Sequence, residues 1–165
     1  MVYSEHAKAF PESKFSRAGG SILQGVRVLD LTRYLSGPQA TLFLADLGAE
    51  VVRIDDPSKG DPAASAPPFF GPHGASLERR TAEDLGIAYL KRGRGKKSVA
   101  IDLKSAAGRD LFLRLVKKAD VVVENFRVGV TERLGIDYDA LRQHSPDLIY
   151  CSITGFGSDG PESDR

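Results

Sequence analysis

The stretch from Val26 to Asp56, VRVLDLTRYLSGPQATLFLADLGAEVVRIDD, constrains the fold more than any other, because two apolar runs flank one helical pattern. Val26, Val28, Leu29 and Leu31 form the first run and Val51, Val52 and Ile54 the second, both rich in branched residues, as expected of strands covered on both faces. Between them Ala40, Leu42, Phe43, Leu44, Ala45 and Leu47 carry helical spacing. Ser36-Gly37-Pro38 marks the helix start, with Pro38 suited to a first turn in which its missing N–H costs nothing, and Gly48 marks its end. Strand, helix and strand in succession predict a βαβ unit and, with it, a parallel sheet.

The rest of the chain continues the alternation. Ser98 to Leu103 reads as a third strand, Leu111, Phe112, Leu115 and Val116 as a helix closed by Lys117-Lys118, and Val121 to Val123 as a buried fourth strand. Thr131 to Leu134 and Tyr138 to His144 read as two short helices around Gly135, and Leu148 to Ile153 as a fifth strand. Met1 to Gly20 has no sustained periodicity and is expected to be a mobile extension, which leaves residues 21–165 as one α/β domain. Pro57 to Gly74, with five prolines and three glycines, reads as a long loop. Its Phe69-Phe70 pair serves either to pin the loop to the body or to meet a ligand. Thr81 to Lys91 fits a short helix or a strand approach equally well.

Composition narrows the function by exclusion. The 165 residues carry a formal charge of +1, so nothing in the overall balance points to nucleic acid or an anionic membrane, and an anion site has to be local. No apolar run approaches the ~20 residues of a membrane span, and the N-terminus lacks a signal core, so a cytoplasmic protein is expected. The single cysteine, Cys151, lies in an apolar strand and reads as a small buried residue rather than a nucleophile. His6, His73 and His144 are too scattered for a zinc site, and no metal is expected.

Dinucleotide binding would require G-x-G-x-x-G between the first strand and helix, and only Gly37 stands there. Asp55, at the end of the second strand, is a weak substitute for a ribose-binding acid without those glycines. No phosphate-binding P-loop sequence is present. Arg92-Gly93-Arg94-Gly95-Lys96-Lys97 fits either phosphate contacts or a solvated basic turn. Glu124-Asn125-Phe126 stands just past the fourth strand, where open parallel sheets bind ligands.

Seven blocks in order go further: L-x-G-V-R-V-L-D-L-T from Leu23, S-G-P at Ser36, A-D-L-G-A-E-V-V-R-I from Ala45, G-K-K-S-V-A-I-D-L-K from Gly95, A-D-V-V-V-E-N-F from Ala119, G-V-T-E-R-L-G from Gly129, and I-Y-C-S-I-T-G-F-G-S-D-G-P from Ile149. Together they resemble the class III coenzyme A transferases, the family of formyl-CoA, carnitine-CoA and succinyl-CoA transferases and of α-methylacyl-CoA racemase. The resemblance implies a Rossmann-like parallel sheet with flanking helices, the N-terminal part of the family's large domain. It implies CoA or acyl-CoA as substrate, a carboxylic acid as second substrate, no tightly bound cofactor, and an interlocked homodimer for the complete enzyme. By position it carries CoA contacts onto Tyr34, Leu35 and Ser36, onto Ile101, Leu103 and Lys104, onto Asn125, Phe126 and Arg127, onto Arg133, and onto the turn from Thr154 and Gly155 to Gly157.

Two departures stand out. Where many members have Glu-Arg-Pro after the second strand, this chain has Asp55-Asp56-Pro57, so Arg53 or the run at 92–97 is expected to replace the missing cation. The family's transferases attack the thioester with an aspartate, and by resemblance that aspartate lies beyond Arg165; neither Asp159 nor Asp164 fits its place. The expectation is therefore an N-terminal piece of a CoA transferase that carries CoA-binding residues but no catalytic residue. A stand-alone CoA-binding module, one half of a split enzyme and a racemase-branch member remain the alternatives.

Overall fold

The computed structural model describes residues 20–163; the segment expected to be a mobile extension, together with His6 and Asp164, lies almost wholly outside them. The anticipated βαβ unit is β1 (Arg27–Asp30), α1 (Ser36–Asp46) and β2 (Glu50–Asp55). β6 (Lys97–Ala100), α3 (Ala106–Val116), β7 (Val121–Glu124), α4 (Val130–Leu134), α5 (Tyr138–Arg142) and β8 (Ile149–Ser152) complete the main body. The five strands pair in parallel in the order β6-β2-β1-β7-β8.

Period-two alternation along the central strands sends side chains to two cores. Leu29, Leu31, Val52, Ile54 and Val122 pack with Phe112 and Val116 of α3 and with Ile136 and Leu141. Val28, Val51 and Val123 face the other way, with Leu44 and Ala45 of α1. Arg27 and Glu50 are register partners in β1 and β2 and form a 2.9 Å ion pair.

Three expectations need correction, and two readings left open are settled. Pro57–Gly74 is not structureless: it holds a 3-10 helix at Pro62–Ser65 and then β3 (Phe69–Gly71) and the start of β4 (Gly74–Ser76). With β5 (Leu85–Gly86) these strands make a small antiparallel sheet, and α2 (Ile87–Gly93) follows directly, so the ambiguous segment is a strand and then a helix. Strands this short leave almost no periodic signal. The phenylalanine pair divides by strand alternation, Phe69 buried and Phe70 exposed. The third strand stops at Ala100, and Ile101 to Leu103 turn away beyond it. Cys151 is exposed, because β8 is an edge strand and its side of the sheet lies beyond α1.

A buried polar cluster fixes the first turn of α1. Lys96, its side chain 2% exposed, reaches Asp30 at 3.0 Å, the Pro38 carbonyl at 2.8 Å and Thr41 Oγ1 at 2.7 Å. Asp30 also accepts from the Thr32 N–H, the Thr32 hydroxyl and the Thr41 hydroxyl. Burial pushes the Lys96 ammonium down in pKa, opposed by the attraction of Asp30.

Candidate functional site

Strand order reverses between β1 and β7, since β2 and β6 lie on one side of this pair and β8 on the other. In open parallel sheets the loops leaving the carboxyl ends diverge at such a point and open a crevice. The crevice is present as a cavity of about 290 Å³. Its walls are Arg33 after β1, Ile54 in β2 with Asp56 and Lys59 after it, Ile101 to Lys104 after β6, Phe126 after β7, and Val130, Arg133 and Leu134 of α4.

Five of the residues expected from the sequence therefore gather here: Ile101, Leu103, Lys104, Phe126 and Arg133. A second hollow of about 240 Å³ collects Asn125, Arg127, Thr154 and Gly155, with Phe126 on the border of both. Tyr34, Leu35 and Ser36 line neither. Tyr34 instead holds a left-handed backbone at φ 69°, a conformation that side chains disfavour. It is held from both sides, by its N–H to Asp61 Oδ1 at 3.3 Å and by Arg92, which donates to its carbonyl at 3.2 Å.

The side-chain chemistry of the crevice is dominated by fixed turns. Asn125 uses both ends of its amide on Arg33, accepting from the backbone N–H and donating to the carbonyl, so its first task is to hold the β1–α1 turn. Glu124 is buried and accepts the Phe126 N–H at 2.7 Å. Asp102 accepts the Lys104 N–H at 3.0 Å. Asp56 accepts from the Ser58 hydroxyl and N–H, and these bonds hold its carboxyl below the usual range. Every carboxylate at these strand ends thus has a structural task. Among the described residues no cluster of three or more His, Cys, Asp or Glu is placed to hold a metal ion, and no helix is long and apolar enough to cross a membrane.

The cations expected to compensate for Asp55-Asp56-Pro57 point elsewhere. Arg53 is buried, pairs with Asp55 at 2.9 Å and lies over the Tyr89 ring. In the basic run Arg94 pairs with Asp46, Lys97 with Glu50, and Lys96 with Asp30, so the run is largely structural. Asp55 itself is held by Arg53 and Ser98. The cavity's additional cations are Arg33 and Lys59, which sequence reasoning passed over. For Arg33 the available signal was its place three residues past the carboxyl end of β1.

Residues 23–165 match CoA-transferase family III. This chain belongs to that family. It is 46% identical over 144 residues to a succinate–glutarate CoA-transferase of Agrobacterium fabrum, covering 86% of this chain and 34% of the relative. It is 40% identical over 144 residues to the human succinyl-CoA:glutarate CoA-transferase, covering 87% and 30%. Among solved structures, a CAIB/BAIF family protein from Brucella suis superposes with a TM-score of 0.78 at 40% identity, over 88% of this chain and 36% of the other. The chain thus spans about a third of the length of the curated family III relatives it matches. The family III assignment agrees with the α/β fold and the parallel sheet described above.

Proposed function

We propose that residues 20–163 form the coenzyme A-binding part of a CoA transferase that moves CoA from an acyl-CoA donor to a carboxylic acid. The observation that carries this reading is the convergence of Ile101, Leu103, Lys104, Phe126 and Arg133 on one crevice at the carboxyl ends of the sheet. Lys104 and Arg133 supply charge for phosphate groups, and Phe126 offers an aromatic surface to adenine or the pantetheine arm. The hollow formed with Asn125, Arg127, Thr154 and Gly155 extends the same site.

The reacting carboxylate comes from outside the described residues. A carboxylate that attacks the thioester carbonyl forms a mixed anhydride and releases CoA thiolate; the thiolate then attacks the anhydride on the enzyme's side and frees the first acid. The second acid repeats the exchange in reverse and leaves as its CoA thioester. Asp56, Asp102 and Glu124 are each tied into a turn, which supports the view that none serves as this nucleophile.

Calorimetric titration of the 165-residue chain with CoA tests the binding reading: weak but saturable heat is expected, and none at millimolar ligand overturns it. Exchange of CoA between an acyl-CoA and a free acid tests the placement of the nucleophile. No turnover is expected from this chain alone, and measurable turnover would show that a carboxylate within it reacts.

A further inference from the structure

We propose that Asp61 and Arg92 are positioning residues for coenzyme A binding, which hold the β1–α1 turn in a backbone conformation that its own sequence does not favour. This rests on the CoA reading above. Neither residue lines the crevice or the adjoining hollow; both act through the backbone of Tyr34.

In the turn between β1 and α1, all four backbone polar groups of Arg33 and Tyr34 bond to side chains brought from elsewhere. Asn125, after β7, takes the N–H and the carbonyl of Arg33. Asp61 accepts the Tyr34 N–H at 3.3 Å, and Arg92 of α2 donates to the Tyr34 carbonyl at 3.2 Å. These last two groups belong to the planar peptides on either side of the Tyr34 Cα, so holding both fixes φ and ψ together. The result is a φ of 69°, the one positive φ outside glycine among the described residues. Glycine would adopt this conformation without cost. A tyrosine adopts it only where its surroundings impose it, and such positions concentrate at ligand sites.

Both restraints come from one body. Asp61 Oδ1 also accepts the Ala63 N–H at 2.9 Å, at the start of the 3-10 helix. Gly86, immediately before α2, lies so close to that helix that a Cβ would meet the carbonyl oxygens of Ala63 and Ala66 at 2.2 and 2.6 Å. The segment between β2 and β6 therefore acts as a strut against the β1–α1 turn. That turn leads from Arg33, on the crevice wall, to Tyr34 and Leu35, whose side chains are 62% and 57% exposed. Two large side chains held open to water, one and two residues from the wall, are preorganised for a ligand rather than for the core.

Titration of the 165-residue chain with CoA tests the strut. Arg92→Met should weaken binding about tenfold, the size of one hydrogen bond from a charged donor, with a urea midpoint close to that of the wild type. Arg92→Lys, which keeps a donor, should lose less, and Asp61→Asn, which keeps the acceptor, should lose less than Asp61→Ala. The deciding comparison is a double-mutant cycle: Arg92→Met should cost much less on a Tyr34→Gly background, because glycine holds the left-handed bend unaided. If Tyr34→Gly binds too weakly to measure, Tyr34→Asn takes its place, since asparagine also tolerates that backbone. An arginine that touched the ligand directly would give equal losses on both backgrounds. Unchanged affinity in Arg92→Met, equal losses on both backgrounds, or affinity lost only together with the fold overturns the positioning role and leaves the CoA reading standing. Absence of CoA binding by the wild type overturns both.

Discussion

Asn125 and Arg33, 92 residues apart, are joined by two hydrogen bonds of 2.9 Å, one in each direction between an amide side chain and a backbone. The pair links the carboxyl ends of β7 and β1 at the point where strand order reverses. Asn125→Ala removes both bonds and should cost about 1–3 kcal/mol; Asn125→Asp keeps the acceptor and should fall between. Urea unfolding measures the loss, and amide exchange at Arg33 should accelerate. An alanine variant as stable as the wild type, with Arg33 equally protected, would refute this role.

Lys96 and Asp30 are both almost fully buried, 2% and 0% exposed at the side chain. Lys96→Met leaves Asp30 charged without its ammonium and should destabilise by about 3–5 kcal/mol. Combining it with Asp30→Asn should cost less than the two single losses together, because no isolated charge remains. Denaturant midpoints of the three variants decide the matter; strict additivity would mean that the two groups act independently.

Glu50 gives the acid limb of stability a specific contributor. Burial raises its pKa, but the bonds from Lys97 at 2.5 Å and Arg27 at 2.9 Å more than offset this, so the folded carboxyl is held below its ordinary value. Between the two values the unfolded chain binds more protons, so the contribution is complete above the ordinary glutamate range and disappears as pH falls through the lowered folded value. Glu50→Gln should be less stable than wild type at pH 7, and the two should converge in acid. Thermal unfolding followed from pH 7 to pH 3 checks this, and a constant gap at every pH would contradict it.

Gly108 sits in the first turn of α3, where an added Cβ would meet the Asp102 carbonyl oxygen at 2.0 Å. Within a helix, alanine for glycine ordinarily gains about 0.5–1 kcal/mol. Here the sign should reverse, with a loss of about 1–3 kcal/mol, and CoA affinity should fall because Asp102 to Lys104 form a wall of the cavity. Unfolding and titration of Gly108→Ala test both halves; a stabilised variant would show that the turn yields without strain.

The parallel sheet was readable because β1, β2 and β7 are buried on both faces and so leave continuous branched runs, and because helix punctuation at Ser36-Gly37-Pro38 and Gly48 coincides with the observed α1. The small sheet was not, since strands of two or three residues have no period to detect. At the site, Lys104 and Arg133, named by resemblance, both line the larger cavity. Resemblance could not tell that Arg53 and Lys96 were committed to Asp55 and Asp30, because those partners meet only after the chain folds.

The central position of β1 also bears on how the chain is made. Val28 finds Val51 soon after synthesis, but its other neighbour, Val121, leaves the ribosome far later. Until then one edge of the most buried strand, including Leu29, has no hydrogen-bonding partner, and unpaired apolar edges of this kind are where nascent chains associate wrongly. Parallel pairs between distant segments also form slowly. Edge strand β6 emerges before β7, so the sheet is completed last on its β7–β8 side, and the interval before β7 arrives is when β1 is most open to wrong association.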